Sequence, residues 1–255
     1  MNNELRIIPI TNIGEVSPGT DLGTLIFDAM RAGDLTIESG DIFVITQKIV
    51  SKAEGRIVNL DDVQPSDFAQ RFAQQNNKDA RHVEVVLRES RRIVRMDRGV
   101  LIAETQHGFI CANAGVDESN VNGAQQLTLL PVDPDGSARA LRHRLQELTS
   151  KSGNIDIAVI ISDTWGRPWR TAQVNMAIGV AGMAPITDYR GQLDPYGYEM
   201  HASMIAVADE LAAAAELVMG KIDRVPAAII RGYAYTPDDG NGRVLLRDAS
   251  TDMFR

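Results

Sequence analysis

Residues 162–170 (SDTWGRPWR) concentrate side chains that could hold a metal ion and a phosphate group. This stretch follows the apolar run 157–161, so a buried strand is expected to deliver Asp163 and Thr164 at its end. A carboxylate and a hydroxyl are suitable ligands for a hard divalent cation, and the guanidinium of Arg167 suits anionic substrate oxygens. The alternative is an ordinary turn containing Gly and Pro, with solvated arginines.

A second group of polar residues lies at 47–56 (QKIVSKAEGR), directly after another apolar run. Lys48 and Lys52 are four residues apart, so on a helix their ammonium groups would point to the same side and could bind polyphosphate oxygens. Two solvated lysines at a strand exit are the alternative. Neither common nucleotide-binding loop, G-x-x-x-x-G-K-[ST] or G-x-G-x-x-G after a strand, occurs in the sequence.

A third group lies at 107–121 (HGFICANAGVDESNV). The small residues Ala114 and Gly115 would let the backbone come close to a ligand, and Asp117 and Asn120 offer oxygen ligands and an amide donor. Asp117 and the aspartate at position 163 could share one metal ion. Alternatively, Asp117 caps a short helix and Asn120 lies in a turn.

The elements that must position these groups can be read from hydrophobic periodicity and capping residues. Strands are predicted at 6–10, 41–46, 155–161 and 227–231, a hairpin from 93–95 and 100–104, and helices at 21–32, 66–75, 134–150 and 202–218. The last helix is expected to be the longest, with Asp209, Glu210 and Glu216 on its outer face. Because the spacing is not a regular βαβ repeat, an α+β fold with mixed sheets and packed helices is predicted, neither Rossmann nor P-loop.

Composition limits the possible classes of protein. The chain has 255 residues, is 44% hydrophobic, and carries a net charge of −8, which argues against a nucleic-acid partner. It has no apolar stretch near the ~20 residues of a membrane span, and the single Cys111 fits a reducing cytoplasm. No linker divides the chain, so one domain over residues 1–255 is expected, any second lobe being interwoven with the first.

Five motifs occur in an order that resembles the coenzyme F420:L-glutamate ligase (gamma-glutamyl ligase) family. They lie at 47–55, 111–121, 130–135, 162–170 and 208–221. The resemblance runs from about residue 7 to 231. It implies a GTP-dependent ligase that adds L-glutamate to the lactyl phosphate carboxylate of the deazaflavin coenzyme precursor through an acyl phosphate, and then adds further γ-linked glutamates.

The resemblance also implies a homodimer, a divalent Mg or Mn ion, and a monovalent cation such as potassium. The implied metal ligands are Asp117, Asp163 and Thr164. The implied GTP-binding residues are Ile13, Gly14, Glu15, Val16, Gln47, Lys48, Lys52, Asn120, Met219, Gly220 and Lys221. The implied catalytic groups are the two aspartates with Lys48, Lys52 and Arg167. Archaeal members often carry an acidic or amide residue where Lys221 stands, so this lysine is assigned as a phosphate contact.

Some bacterial members carry a fused nitroreductase-like C-terminal domain, and none is expected in this protein. Two other functions use similar residues. A metal-dependent phosphohydrolase could use the same aspartates and arginines, and a non-catalytic nucleotide or coenzyme carrier could use the same pocket.

Overall fold

The structure is a computed structural model that describes residues 4–118, 125–149 and 155–253. Its strands are β1 (Arg6–Pro9), β2 (Ile42–Thr46), β3 (Ile57–Asn59), β4 (Ser90–Asp97), β5 (Val100–Thr105), β6 (Ile110–Ala112), β7 (Gln126–Thr128), β8 (Ala158–Arg167), β9 (Arg170–Ala181), β10 (Thr187–Asp188), β11 (Met204–Ile205) and β12 (Ala227–Arg231). Its helices are α1 (Leu22–Ala32), α2 (Gln47–Ala53), α3 (Asp67–Asn76), α4 (Ala80–Glu89), α5 (Pro134–Thr149) and α6 (Val207–Met219).

A five-stranded sheet in the order β1-β12-β2-β8-β9 forms the centre of the fold. Its strands β2 and β8 run parallel, and the other neighbours are antiparallel. Smaller sheets pair β3 with β7, β10 with β11, and β4, β5 and β6 with one another. The predicted α+β class, with mixed sheets and packed helices, is confirmed.

Both faces of the central sheet are covered by helices. Along β2, Phe43 and Ile45 point into a core shared with α1 and α5, whereas Ile42 and Val44 point into a core shared with α6. All four side chains are fully buried. A strand buried on both faces must be apolar at every position, which explains why β2 and β8 appear in the sequence as continuous apolar runs.

Several helix starts follow the predicted capping chemistry. The Asp21 carboxylate accepts a hydrogen bond from the Thr24 backbone N–H at the start of α1, and Ser66 caps α3 in the same way. The last predicted helix is shorter than expected. It begins at Val207 rather than at residue 202, because Met204 and Ile205 pair with β10. The prediction that it is the longest helix is also wrong, since α5 has 16 residues and α6 has 13.

The predicted strand end after residue 161 is wrong. Strand β8 continues through Asp163 and Thr164 to Arg167, because β9 pairs with it along its whole length. A β-bulge lies between Ile161 and Ser162, where the pairing shifts register. The predicted turn residues therefore lie on a two-stranded ribbon, and the chain reverses only at residues 168–169.

A third apolar cluster combines α3, α4 and the small sheets formed by residues 57–129. Residues 113–115 all have positive φ, and a Cβ added at Gly115 would lie 2.8 Å from the Leu130 side chain. Gly115 thus packs closely against Leu130, and the approach of the small residues to a ligand stays a prediction. No helix in the described part of the chain is long and apolar enough to cross a bilayer.

Candidate active site at the carboxyl ends of two parallel strands

A pocket of about 680 Å³ opens where the parallel strands β2 and β8 reach the same edge of the sheet. Nine predicted ligand-binding residues line it: Ile13, Gly14, Glu15, Val16, Gln47, Lys48, Lys52, Gly220 and Lys221. Two predicted metal ligands, Asp163 and Thr164, line it as well. Its volume lies within the range of small-molecule sites, and ligands commonly bind beyond the carboxyl ends of parallel strands.

Lysines on one face of α2 provide positive charge at this pocket. Lys48 Nζ lies 2.8 Å from Asp117 Oδ2, and Lys52 Nζ lies 2.8 Å from Glu15 Oε1. The hydrogen bond from Lys52 lowers the pKa of Glu15. The predicted helical placement of the two lysines is confirmed, and both ammonium groups are paired with carboxylates in this structure.

Asp117 is positioned by backbone pairing after a left-handed turn. Its N–H donates to the Thr128 carbonyl at 3.0 Å, and its carbonyl accepts from the Thr128 N–H at 2.7 Å. Ala114, three residues earlier, has φ 53° although it carries a side chain. Such conformations cost about 1–3 kcal/mol each and concentrate at functional sites.

Asp163 is held by a neighbouring indole. Trp165 Nε1 donates to Asp163 Oδ2 at 2.9 Å, and the Trp165 ring packs on Phe109 with centroids 5.1 Å apart. Burial raises the pKa of Asp163, and the charge of Asp117 raises it further. Asp117 is linked to this site through its ion pair with Lys48, which lines the pocket together with Asp163, and a metal ion shared by the two aspartates stays a prediction.

Two buried polar atoms at the pocket have no hydrogen-bond partner among the described residues: Gln47 Nε2 and Ser162 Oγ. Both residues are only 1% exposed. The Ser51 hydroxyl donates to Gln47 Oε1 at 2.8 Å, so the amide donor is the group left over. Buried polar groups normally have partners, and those that lack one need an explanation such as a ligand or water.

A polar network connects the end of α6 to the ribbon. Asn175 Nδ2 donates to Glu216 Oε2 at 2.8 Å, and Thr164 Oγ1 donates to Asn175 Oδ1 at 2.7 Å. The Lys221 ammonium donates to Thr164 Oγ1. Gly220 turns the chain toward the pocket with φ 59°, and a Cβ there would lie 2.2 Å from Asp223 Oδ2.

Four predicted site residues are not among those that line the pocket. Asp117 lies beside it, paired with Lys48, which does line it. Met219 is 1% exposed and packs in the core beneath α6. Arg167 lies near the ribbon tip, where its Nη1 donates to the Ala172 carbonyl at 3.3 Å. Asn120 lies outside the described residues, so its role stays a prediction.

Sequence reasoning missed three pocket residues, Asn175, Glu216 and Arg224, and the inward-facing Asp209. Asp209 and Glu216 were predicted to face outward, but Asp209 accepts from the Ala177 N–H at 2.9 Å and Glu216 lines the pocket. Asn175 and Arg224 also line the pocket without any motif to identify them. The one available signal for Asn175 was a polar residue at the start of the apolar run 176–181 in β9.

The donor set fits a hard divalent cation. Asp117 and Asp163 supply carboxylates and Thr164 supplies a hydroxyl, all oxygen ligands of the kind Mg²⁺ and Mn²⁺ prefer. Within residues 4–118, 125–149 and 155–253, no three His, Cys, Asp or Glu side chains gather as a complete metal cage. A site with one or two carboxylates is typical of Mg²⁺ shared with substrate phosphates.

The charges lining the pocket favour an anionic ligand. The cationic residues Lys48, Lys52, Lys221 and Arg224 face the acidic residues Glu15, Asp163 and Glu216. Four cationic and three acidic side chains therefore line the pocket, an excess of one positive charge in a chain whose net charge is −8. Together with the oxygen ligands, it defines a pocket suited to a polyanion and a divalent cation.

Comparison with known proteins identifies the family. Residues 11–232 match the family model described as F420-0:Gamma-glutamyl ligase, and the chain belongs to this family of amide-bond-forming ligases. It is 46% identical over 254 residues to the Coenzyme F420:L-glutamate ligase of Methanothermobacter thermautotrophicus, covering 98% of this chain and 99% of that protein. The protein of the same name from Methanopyrus kandleri is 44% identical over 98% of each chain. The one from Methanocaldococcus jannaschii is 42% identical over 86% of each.

Proposed function

We propose that this protein joins L-glutamate to the lactyl phosphate carboxylate of the coenzyme F420 precursor, consuming GTP, and then adds further γ-linked glutamates. The observation that carries the proposal is the near full-length similarity to proteins named Coenzyme F420:L-glutamate ligase. Support for the use of a nucleoside triphosphate comes from the lysines at the pocket and from the oxygen ligands Asp163 and Thr164 beside them.

The reaction needs an activated acyl group because a carboxylate is a poor acyl donor. In the proposed sequence, a carboxylate oxygen of the acceptor attacks the γ-phosphorus of GTP and GDP leaves. The glutamate amine then attacks the acyl phosphate carbon, inorganic phosphate leaves, and the amine loses a proton. No nucleophilic side chain is required, in agreement with burial that raises the pKa of the Cys111 thiol to about 12.

The protein's contribution to such a reaction is positioning and charge neutralisation. Lys48 and Lys52 are assigned to phosphate oxygens, exchanging their present carboxylate partners for the ligand. Gln47 Nε2 and Ser162 Oγ, which lack partners among the described side chains, are assigned as further donors. Asp117, Asp163 and Thr164 would hold a divalent ion, which supplies charge neutralisation at the phosphates.

Mass spectrometry of the product tests this proposal. Purified protein is incubated with the deazaflavin precursor, L-glutamate, GTP and Mn²⁺, with parallel reactions that lack GTP or the metal. We expect mass increments of one glutamate residue that depend on both GTP and metal. GTP consumption without any increment would contradict the proposal and favour a phosphohydrolase, and GTP binding without turnover would favour a carrier.

The homodimer, the monovalent cation and the cytoplasmic location stay predictions. Sedimentation velocity tests the homodimer. The Trp169 and Tyr196 side chains, which are 81% and 95% exposed, offer apolar surface for a contact between subunits.

A further inference from the structure

The polar network at the end of α6 has a defined direction. Asn175, which is 3% exposed, uses Nδ2 to donate to Glu216 and Oδ1 to accept from Thr164. An ionised carboxylate only accepts hydrogen bonds, so a reversed amide would bring Oδ1 against Glu216. Glu216 therefore determines the orientation of the Asn175 amide.

This orientation determines what Thr164 presents to the pocket. A threonine hydroxyl has one hydrogen, and that hydrogen is used in the bond to Asn175 Oδ1. Toward the pocket, Thr164 Oγ1 then presents only its two lone pairs, so one can accept a hydrogen bond while the other remains for the proposed cation. The group it accepts from in this structure is the Lys221 ammonium.

Lys221 is otherwise a solvent-accessible lysine. Its side chain is 56% exposed, and its Nζ lies 3.9 Å from Glu216 Oε1. A long flexible side chain of this kind loses rotamer freedom when it is held in one place. Thr164 and Glu216 together offset that loss, and two of the three ammonium hydrogens remain available for a ligand.

We propose that Glu216 and Asn175 are positioning residues that hold the Lys221 ammonium at the pocket as a donor to a phosphoryl oxygen of the nucleotide. The inference rests on the proposed function for the identity of the nucleotide. Glu216 acts through Lys221 and Thr164 and does not itself contact the ligand, since an anionic ligand would be repelled by its carboxylate.

A double-mutant cycle separates this role from a purely structural link between α6 and β9. Lys221→Met removes the ammonium, and Glu216→Gln replaces a carboxylate that can only accept by an amide that can also donate, so the Asn175 amide is no longer held in one orientation. GTP binding in the presence of Mg²⁺ is measured by calorimetry on the wild type, both single variants and the double variant. Glu210→Gln is the matched control, because it makes the same charge change at an exposed position of the same helix.

We expect each single variant to weaken GTP binding about tenfold, the effect typical of losing one hydrogen bond to a charged group. The double variant should bind no more weakly than Lys221→Met alone, and Glu210→Gln should match the wild type. Additive losses would show that Glu216 does not act through Lys221 and would overturn the inference. So would a wild-type protein that does not bind GTP.

The ligase proposal can fail separately. If wild-type protein binds GTP with the expected non-additive cycle but adds no glutamate to the precursor, the positioning role stands and the proposed reaction is wrong. If glutamate is added but the cycle is additive, the reaction stands and the positioning role is wrong. Thermal unfolding of each variant checks that it is folded.

Discussion

The two ends of β2 differ in whether the chain supplies partners for the polar groups buried there. At the start of the strand, Asp41 is completely buried and forms a bidentate pair with Arg231, with Nε–Oδ1 and Nη2–Oδ2 distances of 2.7 and 2.8 Å. The Glu38 N–H also donates to Asp41, and Arg231 donates to the Thr36 carbonyl. The charges at this end are satisfied by the chain itself.

At the other end of β2, the chain leaves hydrogen-bonding capacity unused. Gln47 Nε2 and Ser162 Oγ are buried without a partner within the described ranges, and burial raises the pKa of Asp163. Both arrangements cost folding free energy unless something else compensates for them. A ligand and a cation would provide that compensation.

The difference shows how to distinguish a structural buried charge from a functional one. The Asp41–Arg231 pair stabilises the sheet without needing anything else, whereas the polar groups around Asp163 are arranged for a partner that the chain does not supply. Substitutions should therefore affect stability at one end and activity at the other.

The largest effect is expected from Asp163→Asn or Asp117→Asn. Either change removes a carboxylate from the proposed metal site, and we expect ligation to fall by about 100-fold or more. Asp163→Asn should not lower the thermal unfolding temperature, because burial already raises the pKa of this carboxyl group and penalises its charge. Product mass spectrometry and thermal unfolding give the two readouts. Retained activity in either variant would refute the metal assignment.

The opposite outcome is expected from Arg231→Met. This change leaves Asp41 buried and unpaired, at a cost of about 3–5 kcal/mol in the free energy of unfolding. Protein that remains folded should keep its KM for GTP. Urea denaturation measures the loss, and adding Asp41→Asn should recover part of it. A single variant as stable as the wild type would show that the pair is not structural.

Smaller effects are expected from removing two buried hydroxyl groups, one on the KM for GTP and the other on stability. Ser162→Ala removes a hydroxyl without a partner in the described structure, so the KM for GTP should rise about tenfold while stability is maintained. Thr105→Val removes a hydroxyl that accepts from the Phe109 N–H at 3.1 Å, so it should lower stability and leave KM unchanged. If both variants lose only stability, Ser162 has no role in binding.

The smallest effect is expected from Asp209→Asn in α6. Burial raises the pKa of Asp209 above its ordinary value of 3.8, so the charged form destabilises the fold at neutral pH. The substitution should raise the unfolding temperature at pH 7 by a few degrees, on the order of what ~1 kcal/mol gives in a domain of this size. The gain should shrink as the pH falls toward 4 and the native aspartate becomes protonated. A gain that does not depend on pH would contradict this explanation.

Local signals predicted much of the fold. Capping by Asp21 and Ser66 marked helix starts, and apolar runs marked the strands buried on both faces. The same signals failed where a distant partner decides the structure. Strand β8 continues past residue 161 because β9 pairs with it, and the short strand β11 takes residues from the predicted start of α6.

The candidate site divides in the same way. Motifs at 47–55 and 162–170 identified Gln47, Lys48, Asp163 and Thr164, which all line the pocket. Asn175 and Glu216 were missed because their importance comes from hydrogen bonds across elements that are 41 residues apart in sequence. Arg167 lies on a paired strand rather than in a turn and is not among the residues that line the pocket, so its catalytic role stays a prediction.

The central claim is that the carboxyl ends of β2 and β8 form the reaction site. Crystals soaked with Mn²⁺ and a non-hydrolysable GTP analogue test it most directly, through the anomalous signal of manganese. We expect a manganese peak between Asp117 and Asp163, with the triphosphate beside Lys48, Lys52 and Lys221. A manganese ion and nucleotide bound elsewhere on the chain, with this pocket free of both, would contradict the account.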